Sequence, residues 1–184
     1  MAEVEYVIHT APEQVFAVLA DGWGYADWVV GTAHVRDVDP DFPAAGSRLR
    51  HKSGPWPFSI KDESTVLECE PPYLLVLKVR TWPAGAGIVR LMLTAHGAEA
   101  TRVAMAEQFV EGPLRWFRAR FDGLVLRRRN KESLRRLADL AQGRAQARPT
   151  APPLTAPARP AAPQPRQPLA APTTADAPVQ YRVP

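Results

Sequence analysis

A single cysteine, Cys69, in 184 residues excludes an intramolecular disulfide and a zinc site built from cysteines alone, and it fits a reducing compartment. No apolar run approaches the roughly 20 residues that span a bilayer. The acidic start Met1-Ala2-Glu3-Val4-Glu5 has no signal-peptide pattern, so a soluble cytoplasmic protein without integral membrane association is expected. The four histidines, His9, His34, His51 and His96, show no spacing of the H-E-x-x-H kind, so no metal is expected. Gly85-Ala86-Gly87 falls between two strands rather than between a strand and a helix, which is the wrong context for a phosphate loop, and no cofactor is implied.

Positive charge is not spread over the chain. The net charge is +4, but residues 1–112 carry a net −6, residues 113–141 a net +6 and the remainder +4. A pI of 9.6 therefore reflects one basic helix and the C-terminal segment, not a basic face, and no nucleic-acid partner is expected. Of 20 prolines, 11 lie at or after Pro149. Repeated Ala-Pro steps without apolar periodicity cannot bury enough surface to offset ordering, so residues 142–184 are expected to be a disordered, polyproline-biased tail behind a folded domain over residues 1–141. Within it, Arg159-Pro160-Ala161-Ala162-Pro163 is the one stretch that resembles a proline-type docking segment.

The remaining chain reads as an α+β domain. Residues 3–9 alternate as an opening strand. A short helix follows, with Thr10 as a cap-like residue, Pro12 in the first turn, and Val15, Phe16, Val18 and Leu19 as its buried face. Asp21-Gly22-Trp23-Gly24 breaks it, and Tyr25-Ala26-Asp27-Trp28 forms a second small helix or turn. Six strands are then legible near residues 32–38, 47–52, 58–69, 74–82, 87–94 and 101–109, separated by short turn-rich breaks, so neighbours are expected to pair antiparallel. From Pro113 to about Ala141 the pattern changes to one long amphipathic helix. Its apolar positions are Trp116, Phe117, Phe121, Leu124, Val125, Leu134, Leu137, Ala138 and Ala141. Gly123, within this helix, is expected to mark either a ligand or a close approach to the sheet. A seven-stranded curved antiparallel sheet wrapped around that helix is the expected architecture.

This order resembles the SRPBCC superfamily, the Bet v 1/START-like helix-grip fold, and more narrowly its bacterial polyketide cyclase/dehydrase and lipid-transport-like members. The stretches that carry the resemblance are Ala11-Pro12-Glu13-Gln14-Val15-Phe16, Trp28-Val29-Val30-Gly31-Thr32, Gly46-Ser47, Glu70-Pro71-Pro72-Tyr73-Leu74, Thr101-Arg102-Val103 with Glu107, and Asn130-Lys131-Glu132-Ser133-Leu134-Arg135-Arg136-Leu137. They span about residues 3–141. The resemblance implies a ligand cavity between sheet and helix. It does not select among carriers, aromatase/cyclases and other members, because one fold hosts many functions.

Strand parity sorts interior from exterior. Leu49, His51 and Ser53 share one face, as do Ile60, Asp62, Ser64 and Val66; Leu75, Leu77 and Val79; Val89, Leu91 and Leu93; and Val103, Met105, Glu107 and Phe109. The expected ligand wall is therefore Leu49, Leu77, Val79, Val89, Leu91, Val103, Met105 and Phe109 from the sheet, Trp116, Phe117, Phe121 and Leu124 from the helix, and Trp28. The other tryptophans near loops, Trp23, Trp56 and Trp82, and Tyr25 are weighed either as an aromatic entrance or as ordinary core closure. The only ionisable members of the inner set are His51, Asp62 and Glu107, and a carboxylate and an imidazole in an apolar pocket are the groups that general acid–base catalysis requires. Each has a structural alternative: His51 half-exposed at a strand end, Asp62 bonded to backbone at a bulge, Glu107 paired with an arginine of the long helix. Three functions stay open: a carrier of a hydrophobic lipid, polyketide or aromatic metabolite, an enzyme using those three residues as acid and base, or an interaction protein docking through its basic helix or tail. The oligomeric state is not legible.

Overall fold

The computed structural model describes residues 2–54, 60–81, 85–97, 99–112 and 122–147. Trp56, Trp82, Trp116, Phe117, Phe121, the expected helix start at Pro113 and residues 148–184 of the expected tail lie outside the described residues, whereas residues 142–147, also expected in that tail, are the last turns of the long helix. Seven strands form one antiparallel sheet: β1 (Ala2–Ile8), β2 (Thr32–Val38), β3 (Arg48–Ser53), β4 (Ile60–Glu70), β5 (Leu74–Thr81), β6 (Gly85–Ala95) and β7 (Thr101–Glu111). Their order across the sheet is β1-β7-β6-β5-β4-β3-β2. Each consecutive pair from β2 to β7 is a hairpin, as the short turn-rich breaks predict; β1 closes the order on the far side of β7.

Helix α1 (Pro12–Leu19) follows β1, and a 3₁₀ turn at Gly22–Gly24 leads into α2 (Tyr25–Trp28). The residue preceding α1 in the cap position is Ala11, not Thr10, and no side chain caps that end. Thr10 instead donates its hydroxyl to the side chain of Gln14. The backbone oxygen of Thr10 accepts from the Thr101 hydroxyl at 2.7 Å, which ties the start of α1 to β7.

Helix α3 (Asp122–Ala147) runs past Gly143, beyond the end near Ala141 that the glycine implied. A glycine inside a helix costs about 1 kcal/mol relative to alanine, and the last turns are held from outside. Arg144 donates to Asp21 at 2.7 Å, and the same carboxylate accepts the Gly24 N–H at 3.2 Å, so one aspartate joins α3 to the 3₁₀ turn. The buried face of α3 is Asn130, Ser133, Leu134, Leu137, Ala138 and Ala141, which is helical spacing, and it packs on β1, α1 and α2. Leu124 and Val125 do not belong to that face: they are 56% and 70% exposed. An alanine methyl at Gly123 would meet nothing within 4 Å, so the close approach to the sheet expected there is absent among the described residues.

The inward sets expected on β3 to β7 are buried or half-buried, although Val76 and Ala86, of the opposite parity, are buried as well. Leu49, Val66, Leu75, Leu77, Leu91, Leu93 and Val103 are buried with Ile8 and the α1 and α3 residues in a single core. Arg50 on the opposite face pairs with Asp37 at 2.5 Å and Asp39 at 3.2 Å. The pairing of β2 with β3 slips twice, between Thr32 and His34 and between Val35 and Asp37. β4 carries a bulge between Val66 and Glu68, and Leu67, on the outward parity, is exposed.

The contrast along α3 is directly measurable. Leu134→Ala and Leu137→Ala, both at fully buried positions, should each destabilise by about 2–5 kcal/mol. Leu124→Ala should stay within about 0.5 kcal/mol. Urea denaturation monitored by circular dichroism checks both.

Candidate functional site

A cavity of about 330 Å³ lies between the sheet and the helices. Its floor comes from two cross-strand rows, Leu77–Val89–Glu107 and Val79–Gly87–Phe109, with Met105 beside them. Gly87 belongs to this floor, and its lack of a side chain leaves room above the sheet. Trp28, Val29, Val30, Gly31 and Thr32 form one wall, His51, Ser53 and Gly54 the next, and Arg129 and Ser133 of α3 a third. Gly31 has φ 102°, a left-handed conformation that glycine adopts without strain, and its carbonyl accepts from the Gly54 N–H at 3.0 Å. The Val30 N–H donates to the Ser133 hydroxyl at 3.1 Å, which fixes this wall to the helix.

Two polar groups interrupt the apolar lining. In the first, Glu107 is buried on β7, and one of its oxygens accepts from Arg129 Nη2 at 2.5 Å and from Asn130 Nδ2 at 2.9 Å. Arg129 also directs Nε and Nη2 to Asn130 Oδ1, each at 3.2 Å, so the three side chains lock one another. In the second, His51 Nε2 lies 3.1 Å from the Ser64 hydroxyl and Nδ1 lies 3.1 Å from the Ser53 hydroxyl. The Tyr25 and His51 rings lie with centroids 5.5 Å apart, tilted by 33°. Burial pushes the Tyr25 phenol up to about 12, against the opposing effect of the Ser64 side chain. The His51 imidazole falls below its ordinary value because burial disfavours the cation, and the nearby Asp62 charge offsets part of that.

Of the residues expected on the ligand wall, Trp28, Leu77, Val79, Val89, Met105 and Phe109 line the cavity, and so do His51 and Glu107. Leu49, Leu91 and Val103 do not. They are buried in the core, and for Leu91 and Val103 the reason is that α1 leaves the sheet beside the Ile8–Thr101–Ala95 row and packs on β6. Asp62 is buried and pairs across the strands with His51, but it borders a separate cleft with Arg36, Arg50, Lys61 and Arg80. Leu124 is on the surface, and Trp116, Phe117 and Phe121 lie outside the described residues. His51 is 1% exposed, not half-exposed at a strand end, and Glu107 does meet an arginine of the long helix. Parity had marked Ser53 as inward. Tyr25, one of the aromatics weighed for an entrance, lines the cavity too; Arg129 and Ser133 are additions, and only their place on a helix facing the sheet could have signalled them.

No helix among the described residues is long and apolar enough to cross a membrane. The Arg127–Arg129 run divides: Arg127 and Arg128 face solvent and Arg129 turns to Glu107, while Arg135 and Arg136 both pair with Glu132.

The sign of the His51 effect sets a pH dependence. A histidine whose folded value is depressed takes up its proton more readily when unfolded, so its contribution is intact above the ordinary imidazole value of 6.5 and is lost as pH falls below it. Between pH 7 and 5 the wild type should lose more unfolding free energy than His51→Gln, as measured by paired urea titrations; equal losses would remove His51 as the source.

The comparisons with known proteins agree with this architecture. The family model for polyketide cyclase/dehydrase and lipid transport matches residues 1–142. Among solved structures, protein NE0264 from Nitrosomonas europaea is 13% identical with a TM-score of 0.62, covering 78% of this chain and 95% of its own. Protein MLL2253 from Mesorhizobium loti is 21% identical with a TM-score of 0.58, covering 77% and 96%. The Zhui aromatase/cyclase from Streptomyces sp. R1128 is 20% identical with a TM-score of 0.62, covering 79% and 95%. No curated protein matches the chain. At these identities the structures establish a shared fold, and with the match over residues 1–142 the chain belongs to the polyketide cyclase/dehydrase and lipid transport family.

Proposed function

We propose that this protein binds a hydrophobic small molecule, a lipid, polyketide or aromatic metabolite, in the cavity between the sheet and α3. The observation that carries the reading is the 330 Å³ space above Leu77, Val79, Val89 and Phe109, with its polar groups gathered into two clusters. The volume falls at the lower end of the roughly 300–1,000 Å³ range of small-molecule sites. A ligand that loses about 200 Å² of apolar surface there gains on the order of 5 kcal/mol from the hydrophobic effect. The family match supports the same reading.

Displacement of a fluorescent hydrophobic probe, together with mass spectrometry of the native protein extracted into organic solvent, tests it. Val79→Phe, which places a larger side chain on the cavity floor, should abolish probe binding while the melting temperature is largely kept. Absence of both an extracted ligand and any displaceable probe would count against the proposal.

A second reading is favoured by one observation: a buried imidazole, lowered in basicity and hydrogen-bonded to two hydroxyls, shares the cavity with a carboxylate. His51 is then the group that takes up and returns the proton of a cyclisation or dehydration, with the ionised Glu107 and Asp62 acting on the charge it gains. Zhui, whose fold this chain shares, is an aromatase/cyclase. With a substrate that is turned over, His51→Ala, Asp62→Asn and Glu107→Gln should each reduce kcat by about 10²–10⁴, the usual range for general acid–base catalysis. Losses under about tenfold in all three would leave the carrier reading alone.

A further inference from the structure

The ionisable groups of the cavity constrain the charge of its occupant. Among the described lining residues these are Tyr25, His51, Glu107 and Arg129. Tyr25 holds its proton to about pH 12, and burial disfavours the protonated form of His51. Glu107 and Arg129 carry opposite charges and meet at 2.5 Å, so each is neutralised by the other before any ligand arrives. Arg129 spends Nε and Nη2 on Asn130 and Glu107, while its Nη1 donors have no partner among the described residues. Arg129 is 38% exposed and lines the cavity, and the hydroxyl of Ser53, bonded to His51, stands on another wall.

From this arrangement we infer that the cavity selects an uncharged ligand bearing a carbonyl oxygen, accepted by the free edge of Arg129, and discriminates against carboxylate-bearing amphiphiles such as fatty-acid anions. The inference rests on the ligand-binding reading of the same cavity and adds the chemistry of the ligand's polar end. An anion brought beside Arg129 would meet a cation already compensated by Glu107 and would leave one negative charge unpaired in an apolar space. A pure hydrocarbon seated against Arg129 would take water from the Nη1 donors and return no acceptor. A ketone, ester or lactone oxygen satisfies the donor without adding charge.

Three fluorescent probes of one shape test this: a dimethylaminonaphthalene carrying a propionyl ketone, its carboxylate analogue and its propyl analogue, titrated into the full-length chain at pH 8. The ketone should bind at least about tenfold tighter than the carboxylate and more tightly than the propyl compound, with the red-shifted emission of a hydrogen-bonded carbonyl. Glu107→Gln removes the internal counter-charge and should move the carboxylate-to-ketone affinity ratio by about tenfold toward the carboxylate. Equal affinity of ketone and carboxylate for the wild type overturns the charge inference and leaves the cavity reading intact. Failure of all three probes to bind overturns the cavity reading, and this inference with it. Should Glu107→Gln fail to fold, the wild-type ratio and the emission shift decide between these outcomes.

Discussion

A buried carboxylate governs how the two halves of this domain fit together. Glu107 sits mid-strand on the inner face of the sheet, where an ionised group without partners would be prohibitively unfavourable. Its partners, Arg129 and Asn130, are consecutive residues on α3, so the helix must present one particular side to β7. Once that rotation is set, Leu134, Leu137, Ala138 and Ala141 fall on the core and Ser133 falls beside Val30. A buried ion pair adds little net stability compared with apolar residues of similar volume. Its effect here is orientation: sliding α3 by one residue would separate Glu107 from both donors at once.

The cavity follows from the same geometry. The described helices do not cover the whole inner face of the sheet: α1 covers the end near Ile8, Thr101 and Ala95. The opposite end, around Val79, Gly87 and Phe109, has no comparable cover from α1, and the Val29–Thr32 turn stands beside it as a wall. A wide sheet gripping one helix therefore leaves space where the polar residues of α3 and β7 meet, and the ionisable groups lie at that boundary.

Much of the fold was legible because the sheet obeys simple periodicity. Short turn-rich breaks fix the hairpins, and alternation on β7 runs from Thr101 to Phe109 without interruption, so Glu107 could be placed inside from sequence alone. The helix was less legible for a physical reason. Periodicity scores hydrophobicity, and it assigned Leu124 and Val125 to the buried face while passing over Asn130 and Ser133. Those two polar residues are buried because they satisfy Glu107 and a backbone N–H, a long-range requirement that no local pattern carries. The continuation through Gly143 has the same origin: Arg144 is held by Asp21, 123 residues away in the chain. In the site, His51 and Glu107 could be found from parity, whereas Arg129 belonged to a run of three arginines whose division between solvent and cavity depends on the angle of the helix.

Among the described residues the seven-stranded sheet has two unpaired margins, β1 and β2, and such a margin is an invitation for another chain to add a strand. The β1 side lies against α3. Among the described residues β2 meets α2 and the 3₁₀ turn rather than α3, and its ladder with β3 loses step twice in seven residues. A strand bent in this way does not present an evenly spaced row of backbone donors and acceptors, so the two slips that look like irregularities guard the domain against edge-to-edge polymerisation.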